Sequence, residues 1–371
     1  MVRCISVSPK SSFTVGLTEV ICGDDGKSMR SKSNWTRFLV TGFSLMALAG
    51  QAIAETAPAK ELFGAAKAPT QSAPAPIGSY AKGCMAGAVA LPTDGPTWQA
   101  MRLSRDRRWG HPLLVALLER FSKDAAALGW GSGILVGDIS QPRGGPMLFG
   151  HASHQIGLDA DVWFTPKPSN PLSPQQREDM PFTSMLDKSK FLTVDSRRWS
   201  DTHAKVVMQA ASYPQVERVF VNPAIKKKLC ETWRGDRTHL GKVRPIYGHD
   251  EHFHIRIGCP DGAPGCKPQA ALGAGDGCDK SLAWWFTEEP WAKPKPNPNA
   301  KPAKPRHVML SDLPRACAAV LAAPGASGRE PAVAYSAAAA PAAPVQNIEA
   351  IIQQAQPLPE QGPVPRPRPF D

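Results

Sequence analysis

No C-x-x-C occurs in this 371-residue chain, and no G-x-G-x-x-G, G-x-S-x-G or H-E-x-x-H. These gaps argue against a thioredoxin-type centre or zinc ribbon, a dinucleotide-binding turn, a serine-hydrolase elbow and the metal helix of the common zincins. No internal repeat of useful length is present either, which excludes a solenoid. Acidic residues are missing from "KPKPNPNAKPAKPRH" at residues 293–307, where much of the net charge of +11 is concentrated. Aromatic interleaving is missing there too, so the run reads as a solvated basic strap and not as a nucleic-acid patch.

At 42% hydrophobic residues the chain can bury a real core. Its 38 prolines, many of them after residue 289, mark an extended terminal region. "MRSKSNWTRFLVTGFSLMALAGQAIA", residues 29–54, has a basic start, an apolar centre too short for a comfortable bilayer span, and an Ala-x-Ala end. That is the layout of a secretory signal, with cleavage after Ala54 and no transmembrane segment afterwards. Residues 1–28 precede it, so translation is expected to start at Met29. Export makes the cysteines disulfide formers. Outside the leader there are six: Cys84, Cys230, Cys259, Cys266, Cys278 and Cys317. Their pairing is open by count alone, though Cys259 and Cys266 bracket a turn-rich loop that a local bridge could close.

Residues 55–79 are Ala/Pro-rich and read as a flexible lead-in, with order beginning near Cys84. A helix is expected from Pro112 to about Leu128, with Leu113, Leu114, Leu117, Leu118, Phe121 and Leu128 at helical spacing. "GILVGDIS" (133–140) reads as a buried strand, "PKPSNPLSPQQREDMP" as a long surface loop, and Ser200 as the cap of a helix ended by Pro214. "VERVFVN" is a strand, Asn222-Pro223 starts a third helix, "HFHIRIGC" is the last strand, and the tail 318–371 is expected to be disordered. Helices and short strands without a regular rhythm predict an α+β domain: a small, mainly antiparallel sheet flanked by helices. The domain is expected at 80–317, with the strap (290–307) inside it.

Nine histidines are present, and six fall in two clusters: His151 and His154, then His239, His249, His252 and His254. Packing does not ordinarily concentrate imidazoles so tightly. On a strand, residues two apart share a face, so His252, His254 and Arg256 oppose Phe253, Ile255, Ile257 and Cys259. In "LDADVWF", Asp159, Asp161 and Trp163 likewise oppose Leu158, Ala160, Val162 and Phe164. Two strands thus bury one face and present imidazole or carboxylate on the other, a donor set suited to Zn2+ on the sheet face.

The spacing H-x6-D from His154 to Asp161, followed by His252-Phe253-His254, resembles the lysostaphin, D-Ala-D-Ala peptidase and hedgehog-type zinc fold. "GHASHQIGLDADVWF", "RVFVNPAIKKKLC", "KVRPIYGHDEHFHIRIGCP" and "GDGCDKSLAWWF" are similar to the penicillin-insensitive murein endopeptidases, and this resemblance covers about residues 78–317. It implies zinc held by His154, Asp161 and His254, with His151 a ligand or just behind the metal. It implies His252 as general acid/base, supported by His249, and the disulfides Cys84–Cys317, Cys230–Cys278 and Cys259–Cys266. A second metal is not expected, because Asp187 matches the family pattern while Lys190 stands where a histidine would be.

The expected activity is zinc-dependent D,D-endopeptidase cleavage of D-alanyl-diaminopimelyl cross-links in peptidoglycan, in the periplasm and without a β-lactam-sensitive serine. Asp159 is expected to orient a histidine from behind the ligands. Arg256 is expected to meet a substrate carboxylate or to form a structural ion pair. Cross-linked peptides are the expected partner and nucleic acid is not; a homodimer is compatible with the sequence. Two other classes remain open: a non-catalytic cell-wall binder stabilised by zinc, and a metal buffer.

Overall fold

The computed structural model describes residues 57–293 and 306–326. The upstream segment 1–28, the expected signal peptide, most of the strap and the tail beyond residue 326 lie outside the described residues.

Short elements follow one another along the chain. Helix α1 (Ala59–Ala65) precedes β1 (Ala75–Ser79), β2 (Lys82–Ala86), β3 (Val89–Ala90), β4 (Trp98–Ala100) and β5 (Trp109–Gly110). Then come α2 (Pro112–Ala127), β6 (Ile134–Val136), β7 (Asp159–Trp163), α3 (Pro174–Asp179) and α4 (Asp201–Ser212). The remainder is β8 (Val216–Val221), α5 (Pro223–Thr232), β9 (Val243–Pro245), β10 (His252–Ile257), α6 (Lys280–Ala283) and α7 (Ala316–Ala322). Helices α2 and α5 begin at prolines, where the missing N–H costs nothing, and the His111 and Asn222 side chains accept from the backbone N–H two residues on. Tyr213, before Pro214, turns extended and ends α4.

Six strands form the sheet in the order β4-β6-β7-β10-β8-β9. Pairing is antiparallel from β6 through β7 and β10 to β8, and parallel at the two outer pairs. The fold is α+β. In the β7–β10 register His254 faces Asp161 and Arg256 faces Asp159. Phe253, Ile255, Ala160 and Val162 are fully buried on the other face, in one core with Leu114, Leu117 and Phe121 of α2 and Val206, Val207 and Ala210 of α4. Each large side chain in such a core contributes about 1.5–3 kcal/mol by leaving water, which holds the two central strands firmly. Leu113, counted with the apolar face of α2, is instead 44% exposed, because it lies one position off that face.

Four sequence expectations are corrected. The lead-in 55–79 contains α1 and β1, and order starts well before Cys84. Phe63 of α1 is fully buried in a second small core with Ile77, Cys84, Leu313, Cys317 and Val320, so burial overrides the Ala/Pro-rich composition. The first residues of the expected disordered tail, from residue 318, instead lie in α7, which completes that core. Arg143 closes the end of α7 by donating to the carbonyls of Val320 (2.8 Å) and Leu321 (2.6 Å). The expected long surface loop contains α3, started by a Ser173/Gln176 capping box. The run "GILVGDIS" pairs as a regular strand only over Ile134–Val136.

Ser79-x-x-Lys82 has the spacing of a penicillin-binding motif, but it is the β1–β2 hairpin turn, with Ser79 paired to Lys82. Disulfides join Cys84 to Cys317, Cys230 to Cys278 and Cys259 to Cys266. The first spans 233 residues and ties α7 to β2. Its removal by a double Cys→Ser change is expected to cost about 2–5 kcal/mol, read as a lower urea midpoint. Unaltered unfolding would contradict its structural role.

Candidate metal centre

Strand β7 and the loop before it converge on strand β10 from opposite sides of one carboxylate. Asp161 Oδ1 lies 3.4 Å from His154 Nε2, 3.5 Å from His254 Nδ1 and 3.6 Å from His252 Nε2; its Oδ2 lies 3.4 Å from His151 Nε2. Donor atoms of His151, His154 and Asp161 all lie within 4.8 Å of one another. Burial is deep: His154 is fully buried, and Asp161 and His254 are each 3% exposed.

Hydrogen bonds set the tautomers. A carbonyl only accepts, so the 2.7 Å contact of His154 Nδ1 with Ile139 O places a proton on Nδ1 and directs Nε2 into the cluster. His254 Nε2 donates to Asp159 Oδ1 at 2.8 Å, which frees its Nδ1 toward Asp161. Asp159 is itself held by Arg256 (2.6 and 3.3 Å) and by the His154 backbone N–H (3.0 Å). A carboxylate behind a ligand-type histidine is the usual support of a metal site.

Three buried polar atoms of this cluster have no hydrogen-bond partner: His154 Nε2, Asp161 Oδ1 and His252 Nε2. Leaving such atoms unsatisfied costs about 1–3 kcal/mol each, so their convergence calls for an occupant that takes nitrogen and oxygen lone pairs. A divalent cation fits that donor set. His154 (φ 68°) and His249 (φ 54°) also hold left-handed backbone, a strain that clusters at functional sites and that no sequence pattern announced.

Electrostatics agree. Burial opposes charge on Asp161, yet His252, His154 and His151 hold its carboxyl well below the ordinary range. Burial likewise opposes charge on His154, but the Asp161 carboxylate pushes its pKa up to about 9. The metal-free pair therefore keeps a proton at neutral pH, which a cation must displace. Metal affinity is expected to weaken as pH falls below about 9, by up to about tenfold per unit, in a competition titration against a coloured chelator. Affinity independent of pH between 6 and 9 would contradict this. Burial beside His252 lowers His249 to about 4, so this ring stays neutral in a site that takes a cation.

Several residues take places the sequence did not show. Asp138, read as part of a buried strand, accepts from His151 Nε2 at 3.0 Å and from Arg107 at 2.8 Å. Burial opposes its ionisation, but the His151 hydrogen bond and Arg107 hold its pKa at about 2. The acid interrupting an apolar strand was the available signal. Arg256 is buried against Asp159, Tyr80 and Phe220 and forms an ion pair with Asp159, the second of its two expected roles. His239 precedes the short 3-10 turn Leu240–Lys242 instead of joining the cluster. Asp187 pairs with Lys190 at 3.5 Å. His249 lies beside His252, ring centres 4.9 Å apart, with its Nδ1 donating to Tyr247 O at 2.8 Å.

A cleft opens over the cluster, lined by His151, Asp161, His252 and Asp138 together with Arg102, Arg105, Trp163 and Phe182. No helix among the described residues is long and apolar enough to cross a membrane.

Residues 76–322 match the family model described as penicillin-insensitive murein endopeptidase. The chain is 45% identical to the penicillin-insensitive murein endopeptidase of Haemophilus influenzae over 231 residues, 62% of this chain and 77% of that protein. It is 38% identical to the Klebsiella pneumoniae protein of the same name over 245 residues (66% and 85%). Against the Yersinia enterocolitica protein it is 36% identical over 258 residues (68% and 87%). With the His/Asp cluster and the three disulfides in place, these matches show that the chain belongs to the penicillin-insensitive murein endopeptidases, a family of metallopeptidases.

Proposed function

We propose that this chain is a zinc-dependent D,D-endopeptidase that hydrolyses D-alanyl-diaminopimelyl cross-links in peptidoglycan. The observation that carries the reading is the convergence of three unpartnered buried atoms, on His154, Asp161 and His252, the last two residues lining one cleft. His154 Nε2, Asp161 Oδ1 and His254 Nδ1 would hold the metal, with His151 adjacent and its Nε2 shared with Asp138. Zinc, when bound, supplies a Lewis acid for the scissile carbonyl and brings the pKa of the attacking water to about 7.

The chain's own groups do the rest. Asp159 and the Ile139 carbonyl fix the two imidazoles in the tautomers that expose the correct nitrogen. His252, on the same strand face as His254 and open to the cleft, carries the proton to the leaving amine. His249 packs against His252 and orients it. No serine nucleophile is used, which accounts for insensitivity to β-lactams. Export to the periplasm agrees with three disulfides, which persist in oxidising compartments.

Mass spectrometry of the products from purified cross-linked muropeptides tests the reading. Monomers ending in free D-alanine and a free diaminopimelyl amine are expected. Cleavage at another bond, or binding of the dimer without cleavage, would replace it with a different specificity or with a cell-wall binder.

A further inference from the structure

Arg105 is the least committed cation beside the metal cluster. Its side chain lines the same cleft as His252 and is 27% exposed. Among the described residues it donates one side-chain hydrogen bond, to Asp138 Oδ2 at 3.2 Å. That oxygen already takes Arg107 at 2.8 Å and His151 at 3.0 Å, so two guanidiniums share a single carboxylate. Arg107 is buried and also bonded to Phe149 O, leaving it no reach into the cleft. Arg102 spends both terminal nitrogens on the carbonyls of Arg177 (3.1 Å) and Met180 (2.6 Å), its guanidinium 5.2 Å from the Trp163 and Phe182 rings.

The backbone is built to present Arg105. It ends a 3-10 turn, Leu103–Arg105, bracketed by Arg102 (φ 53°) and Asp106 (φ 51°), two non-glycine residues in left-handed backbone. Such conformations persist only where surrounding bonds over-determine them. Here the Arg102 bonds do so, as does Glu178, which accepts from the Ser104 N–H (2.7 Å) and hydroxyl (2.9 Å). Asp106 accepts from the Trp109 indole at 2.9 Å, so the acids on either side are engaged elsewhere.

We propose that Arg105 binds the carboxylate on the leaving-group side of the scissile bond. The inference rests on the cross-link reading above. The leaving amine of a D-alanyl-diaminopimelyl bond sits on a carbon that carries a free carboxylate, so a negative charge lies beside the reacting atoms. A guanidinium with unused donors in the same cleft as the proton-carrying His252 matches that charge, and its planar fork suits a carboxylate. This recognition falls to Arg105 because Arg256 is sealed behind the metal cluster.

The test compares the metal-loaded full chain with Arg105→Gln on two muropeptide dimers, one with that carboxylate free and one with it amidated. Wild type is expected to favour the free acid in kcat/KM by about 10- to 100-fold, the size of a hydrogen bond to a charged group. Arg105→Gln is expected to bring that ratio near one while leaving cleavage of the amidated dimer little changed. Equal losses on both dimers would show that Arg105 acts through Asp138 and His151, and an unchanged ratio would show that it does not touch the carboxylate; either overturns the proposal. If wild type cleaves neither dimer, the cross-link reading itself fails and takes the proposal with it.

Discussion

His252→Ala is expected to lower kcat on a cross-linked muropeptide by about 10²- to 10⁴-fold, the usual worth of a positioned general acid, with metal content unchanged. The two readouts separate because of where His252 stands. Its Nε2 is buried without a partner and lies 3.6 Å from Asp161 Oδ1, yet His254 and His154 approach the same oxygen at 3.5 and 3.4 Å and in the proposed site hold the cation with Asp161. A group placed to hand on a proton can be removed without emptying the site. Steady-state kinetics paired with metal analysis of the purified variant is the check. Loss of metal along with activity would make His252 a ligand instead.

Asp159→Asn has the second large effect, and it divides between metal binding and stability. Asp159 is fully buried and is the carboxylate that faces Arg256, which is itself buried. Breaking one partner of a buried ion pair costs about 3–5 kcal/mol, because the remaining charge stays uncompensated. The same change weakens the acceptor for His254 Nε2, and loss of such support reduces metal affinity or activity by about 10- to 100-fold. Urea unfolding with and without metal measures both parts. Pairing Asp159→Asn with Arg256→Met is expected to recover much of the stability and little of the metal affinity. If the double variant is as unstable as the single, the ion pair is not the source of the loss.

The faces of the two central strands were legible because a strand has a period of two. Phe253, Ile255 and Ile257 had to point one way if His252, His254 and Arg256 pointed the other, and the β7–β10 register then brings His254 to Asp161. Asp159 was legible as a support on the same face, but the supports from outside the two strands were missed. Asp138 and the Ile139 carbonyl reach the site from backbone beyond the regular part of β6, where no periodicity applies. Composition misread both ends of the domain. α1 and α7 look like linker sequence, and only contact between Phe63 and the region around Cys317, some 250 residues later in the chain, makes them part of the fold. Arg256 shows the limit of face arguments: the strand face was right, but depth within it decides whether a cation meets substrate or Asp159.

In the proposed function, cleavage of peptidoglycan cross-links depends on a metal held by this His/Asp cluster. Its most direct test is cleavage of a purified muropeptide dimer by the protein as isolated, after chelation, and after zinc is restored, all in the presence of a β-lactam. Cleavage that is lost with the metal, returns with zinc and ignores the β-lactam is the predicted result; undiminished cleavage by metal-free protein would contradict it.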